Sequence, residues 1–157
     1  MGQNYMFEKI YAYVLLLQAN IVTIEEYNNY LNALFLEDSK NELLLELELV
    51  SNDLSDTLTI INDAFYKRKA LLNSDVFGSV LFEKIKRLYE KNTLKIEDFG
   101  CKANFIWNLI PGEICQTEPF WTLCYADDCL SYGDEAQARR LYERAFSYEW
   151  KIIVIYN

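Results

Sequence analysis

Residues 43–50 read LLLELELV, and the choice between two readings of them decides the fold. From Leu45 to Leu49, leucine and glutamate alternate with the period of a half-buried strand. Leu43, Leu47 and Val50 also recur at three and four, the stripe of an amphipathic helix. Neither leucine nor glutamate is β-branched, and both favour helix. The segment is therefore expected as a helix, and Ser39 with Glu42 has the spacing of a capping box ahead of it. The only other strand-like stretch is the tail, Lys151 to Tyr156 (KIIVIY). A lone strand leaves its backbone groups unpaired. The tail pairs with Leu45 to Leu49, extends the last helix, or belongs partly to a partner, and the sequence leaves these three open.

Working outward, helical stripes dominate. Residues 5 to 19 carry Phe7, Ile10, Tyr11, Val14 and Leu17 on one face, with Asn20 as a stop. Thr23 and Glu26 form a capping box for a second helix. Ile24, Tyr27, Leu31, Leu34 and Phe35 make its inner face, and Glu25, Asn28, Asn29 and Asn32 its outer one. Asp53 or Ser51 caps a helix with Leu54, Leu58, Ile61 and Phe65 inside. It ends in Lys67-Arg68-Lys69, where cations suit the negative end of the helix dipole. Ser74 or Asp75 starts the next, with Phe77, Leu81, Ile85 and Leu88 inside and Gly78 marking a close helix crossing. Residues 96 to 109 add Phe99, Ala103, Ile106 and Trp107 before Pro111-Gly112 breaks the chain. Residues 110 to 118 read as a loop. Pro119 opens a short helix from Phe120 to Leu130, Gly133 ends it, and Asp134 caps the last, with Ala138, Leu141, Ala145 and Tyr148 inside. The expectation is an all-α or mostly α fold, a single-domain bundle over 1–157 of about seven helices, with the tail as its one short strand if it forms. No fixed repeat period is present, although paired helices also suit a solenoid-like stack.

Composition agrees. The chain has 157 residues, 52% of them hydrophobic, with only 5 Gly and 2 Pro. That length suits one domain with a sizeable core. A β-sandwich would need many more turn residues. Glu8 precedes the apolar run from Tyr11 to Leu17, and no clean cleavage site follows, so no secretory signal is expected. No run reaches about 18 apolar residues, so no membrane span is expected either. The expected location is the cytoplasm. Cys101, Cys115, Cys124 and Cys129 contain no C-x-x-C pair, and a cytoplasmic chain keeps them as buried or half-buried thiols.

The charge is uneven. Residues 1 to 66 hold eleven acids against Lys9 and Lys40, a net of −9, which equals the net charge of the whole chain. Residues 67 to 109 carry nine bases against five acids. An acidic surface repels nucleic acid and anionic lipid and attracts basic partners. The chain has no histidine, so the commonest general base and metal ligand are both missing. These facts point toward a binder and away from an enzyme, a nucleic-acid partner or a membrane.

The most distinctive region is 110 to 135. It holds Glu113, Glu118, Asp127, Asp128, Asp134 and Glu135 with no Lys or Arg, beside Phe120, Trp121, Tyr125 and Tyr132. Acids among large aromatics suit a protein interface, where rings anchor and charges steer. The same residues also serve as core rings beneath an ordinary solvated face. Asp127-Asp128 is not a metal pair, because adjacent helical residues point about 100° apart. Glu42 and Glu46 share a helix face but lack the matching pair of a carboxylate di-metal bundle. No EF-hand, phosphate loop or G-x-S-x-G element is present. No catalytic residue, metal ligand or cofactor is therefore expected. The candidate binding residues are Glu118, Trp121, Tyr125, Asp127 and Asp128, then Glu25, Glu26 and Asn29 beside Tyr27 and Tyr30.

In size, acidity and helical content, and in stretches such as Leu88-Tyr89-Glu90-Lys91-Asn92 and TEPFWTLCYADDCLSYGD (117–134), the chain resembles bacterial immunity proteins of the polymorphic-toxin or contact-dependent growth inhibition type. The resemblance implies a cytoplasmic, non-enzymatic inhibitor. It would bind a cognate toxin domain, often a basic nuclease, through acidic surface. A helical scaffold or adaptor that self-associates through its Ile-rich tail is the alternative, and a carboxylate metallohydrolase a third class. The oligomeric state is left open.

Overall fold

Residues 43–49 are helical, and Val50 is the C-cap of that helix. The computed structural model describes residues 5–69 and 71–152. Among them are nine helices and no strand: α1 (Met6–Gln18), α2 (Ile24–Glu37), α3 (Glu42–Leu49), α4 (Leu54–Lys67), α5 (Ser74–Lys91), α6 (Ile96–Leu109), α7 (Gly112–Cys115), α8 (Thr122–Ser131) and α9 (Glu135–Phe146). The all-α class is as expected. The chain divides inside α5, after Phe77, into two compact units.

In the first unit α1 packs on α2 and α4, and α3 packs on both of those helices. Helix α1 is more than amphipathic. Apart from Lys9, every residue from Met6 to Leu17 is buried, as a helix apolar on all sides requires. Phe7, Tyr11 and Phe65 stack at 5.4–6.4 Å, and Phe77 joins Tyr11 at 5.4 Å. The Thr23–Glu26 capping box forms as expected. Ile24 differs: in the first turn it is exposed rather than inner.

The Ser39–Glu42 box does not form. Asp38 and Asn41 close a turn, and Asn41 caps α3 by accepting from the Leu44 amide at 3.2 Å. The inner line of α3 is Leu44 and Leu47, with Leu43 and Val50 half-buried. On α4 the cap is Asp53, as expected. Leu54 is exposed, and Thr57 takes the buried place. Its hydroxyl donates to Asp53 O at 2.8 Å and Val50 O at 3.3 Å, which removes the cost of burying it.

In the second unit α8 packs on α6 and α9. Gly100 is the reason α6 and α8 approach so closely. A Cβ there would stand 2.7 Å from Leu130 and 2.8 Å from Asp127. Gly78 also marks a close approach, but of a ring rather than a helix: a Cβ would overlap the Trp150 indole and press on Phe120. Tyr142 of α9 is fully buried, edge-on to Phe99 at 4.9 Å.

Residues 110 to 118 are not entirely loop, since Gly112–Cys115 makes one helical turn. Pro119 does not open α8. Trp121 N donates to Thr117 O and Thr122 N to Pro119 O, a turn that delays the helix to Thr122. Gly133, at φ 81°, ends α8 with the amide of Gly133 on Leu130 O and that of Asp134 on Cys129 O. Asp134 then caps α9 through the Gln137 amide. Lys151 and Ile152 are not in regular structure. The rest of the expected tail strand, 153–156, lies outside the described residues.

Candidate functional site

Helical spacing puts Trp121, Tyr125 and Asp128 on one face of α8, at i, i+4 and i+7. The Trp121 and Tyr125 rings meet edge to face at 5.6 Å. Trp121 is half-buried, Tyr125 is 47% exposed, and Glu118 and Asp128 are exposed. Tyr132 continues the line and is 86% exposed. Extending the same spacing by one turn would have found it.

Asp127 points elsewhere. It is half-buried against α6, with Oδ1 at the Gly100 backbone and the Tyr142 hydroxyl nearby. Burial pushes its carboxyl above the usual range, and Asp128 adds to the shift. The Tyr142 hydroxyl is buried without a hydrogen-bond partner. Burial pushes it up, and the Asp127 charge pushes it further. The structure therefore brings Glu118, Trp121, Tyr125 and Asp128 to the surface and sets Asp127 against the core.

The second candidate patch lies on α2 in the first unit. Glu25 and Asn29 are exposed one turn apart. Glu26 is exposed too, but its carboxylate holds the Thr23 cap. The tyrosines beside it are structural. Tyr30 stacks on Tyr13 at 3.7 Å, and Tyr27 is buried, its hydroxyl pushed up to about 12 by burial against a smaller opposing effect of Thr57.

Cys115 and Cys129 are buried, Cys124 is half-buried, Cys101 is exposed, and all four are free thiols. Burial first, then Asp128 and its acidic neighbours, pushes the Cys124 thiol up. Cys129 is raised by burial, then by Asp134 and Asp128. Both shifts disfavour the nucleophilic thiolate. Among the described residues no group of three or more His, Cys, Asp or Glu is placed to hold a metal ion. No helix among them is long and apolar enough to cross a membrane.

One feature was missed in the sequence. A cleft of about 720 Å³ opens in the first unit where the starts of α1 and α3, the end of α4 and the link to α5 converge. Glu8 sits in its wall with only 3% of its side chain exposed. Glu8 Oε2 accepts from the Asn73 amide at 2.8 Å, and Asn73 in turn caps α5 through Asp75 and Val76. Arg68 lies over the Phe7 ring at 4.7 Å, with Nη2 at 3.7 Å from Glu8 Oε1. The available signal was an acid in the first turn of an otherwise apolar helix. A buried carboxylate demands partners, and Arg68 is the cation that supplies one.

Comparison with protein families, curated proteins and solved structures returned no match.

Proposed function

We propose that this chain is a non-enzymatic, acidic binding protein of the immunity type, acting in the cytoplasm. It neutralises a basic protein domain, nuclease-like in charge, by covering that domain's active surface. The observation that carries this reading is the outer face of α8, where Trp121, Tyr125, Asp128 and Tyr132 align on a region without a single cation. Large rings at the centre anchor, and the carboxylates steer. Glu118 extends the acidic margin. Glu25 and Asn29 on α2 make a second, weaker acidic patch.

The test begins with capture from source lysate at moderate salt, followed by mass spectrometry and a defined complex with the purified partner. The reading expects one basic domain bound in equal stoichiometry. Its association rate should fall steeply with ionic strength. Asp128→Lys and Trp121→Ala should each weaken it. A partner whose association ignores salt and both substitutions would overturn the assignment to this face.

The alternative, a self-associating scaffold, draws support from Leu36 and Leu49, which are 85% and 87% exposed. Solution mass separates the two: a concentration-independent monomer removes the scaffold reading.

A further inference from the structure

We propose that the cleft at the start of α1 binds a small organic acid with an apolar body, its carboxylate held by Arg68. This is independent of the α8 face and goes beyond the function proposed above.

The cleft is half-open to solvent rather than enclosed. Its walls come from four segments, with Met6, Phe7, Leu43 and Leu72 as the apolar part. Its volume of about 720 Å³ is in the range of small-molecule sites, which pair apolar walls with a few placed polar groups. The placed group is Arg68. Its guanidinium carbon lies over the Phe7 ring, 4.7 Å from the centroid, a cation–π contact that favours this position. Nε reaches Leu71 O only at 3.5 Å, and Nη2 stands 3.7 Å from Glu8 Oε1, beyond hydrogen-bond reach. A guanidinium has five donors. Among the described residues, the other Arg68 donors have no acceptor.

Charge selects the sign of the ligand. Lys67 and Arg68 line the cleft against the single carboxylate of Glu8. Lys67 pairs with Asp63 at 2.9 Å, but both side chains are well exposed, and such pairs exchange at little cost. An incoming anion meets two cations. An incoming cation would have to displace Arg68 from Glu8 and approach Lys67 as well. One guanidinium serving two carboxylates, Glu8 on one edge and the ligand on the other, uses the donors now idle. The apolar walls then require a hydrocarbon body, because a bare inorganic anion would leave them wet.

The test uses the full chain and three isosteric probes: 4-phenylbutyrate, its amide and 4-phenylbutylamine. Titrations are followed by amide NMR shifts and calorimetry. The acid should bind saturably at roughly millimolar affinity, as expected for about twelve heavy atoms, with shifts confined to residues 5–8, 41–43 and 64–73. The amide and amine should bind about tenfold more weakly or not at all, since one charge-assisted contact is lost. Arg68→Gln should abolish the preference for the acid. Ala64→Phe, which fills the cleft from α4 while leaving Lys67, Arg68 and Glu8 in the chain, should abolish binding while far-ultraviolet dichroism stays native. Equal binding of acid and amide would overturn the anion site. Preference for the amine would make Glu8 the anchor and overturn it too. So would shifts elsewhere, or the absence of saturation at about 10 mM in a folded protein.

Discussion

The outer face of α8 and the cleft at the start of α1 are opposite kinds of surface. The first is one helix face, built from residues within a single stretch of sequence, with acids beside uncovered rings. The second is a hollow assembled from helix ends between residues 5 and 73, with a cation laid over a ring. The first is set by α8 and the turn that leads into it. The second exists only once α1, α3, α4 and the link to α5 have packed. A surface made by one helix needs only that helix to form. A hollow needs several ends to meet, and each end leaves backbone and charged groups seeking partners there.

The sharpest way to break the comparison is to reverse neighbouring charges on α8. Asp127→Lys forces a cation toward Gly100, Leu130 and the Tyr142 ring. It should cost about 2–4 kcal/mol of stability in denaturant titration. Asp128→Lys should stay within about 0.5 kcal/mol while weakening the partner complex. Equal, small losses for both would put Asp127 back on the binding face.

Next in size is the anchor itself. Trp121→Ala should remove about 2 kcal/mol of partner affinity, roughly thirtyfold, measured by calorimetry. Unfolding by denaturant should move less than the affinity does, because Trp121 is only half-buried. If stability falls as far as affinity, Trp121 is core and the face loses its centre.

The cleft is tested through Glu8. Glu8→Ala strands the backbone amide of Asn73, the residue whose side-chain Oδ1 caps the start of α5, and should cost about 1–2 kcal/mol. Glu8→Gln keeps an acceptor for that amide and should cost less. The order of the two variants in urea matters more than either value. If Gln is as damaging as Ala, the charge facing Arg68 holds this corner, and the hydrogen bond to Asn73 contributes little.

What could be read from sequence follows the same division. Stripes such as Tyr27, Leu31 and Leu34, or Ala138, Leu141 and Ala145, announce their burial because helix period is a local property. The caps at Thr23, Asp53 and Asp134 were legible for the same reason. Ser39 and Asn41 compete within two residues, and the turn from Asp38 to Asn41 decides between them. No spacing rule reports that. Thr57 inside and Leu54 outside invert the hydrophobic ranking, because two backbone carbonyls lie within reach of the Thr57 hydroxyl. On α8 the ring and acid content was visible, but not which of two adjacent aspartates faces out. That depends on Gly100, 27 residues away in the chain. The Glu8–Arg68 pair spans a still longer separation, and only the folded chain makes Arg68 more than a helix-end cation.

The smallest expected effect separates the two aspartates once more, now by proton. Burial, then Asp128, raises the Asp127 carboxyl above its ordinary 3.8, so ionisation is easier in the unfolded chain than in the fold. Below that ordinary value both states are protonated and no penalty exists. As pH rises, the unfolded chain releases its proton first and stability falls, until the folded group has ionised too. From there upward the penalty is constant. Asp127→Asn removes it, so the variant should be the more stable protein at about pH 7 and lose that advantage by about pH 3, as read from urea midpoints. Asp128→Asn should give a smaller gain with the same sign, by relieving its neighbour. A variant at Asp127 that is less stable at neutral pH would mean that the ionised carboxylate is held by α6 rather than tolerated there. Asp127 would then be a structural anion, and the acidic face of α8 would rest on Asp128 and Glu118 alone.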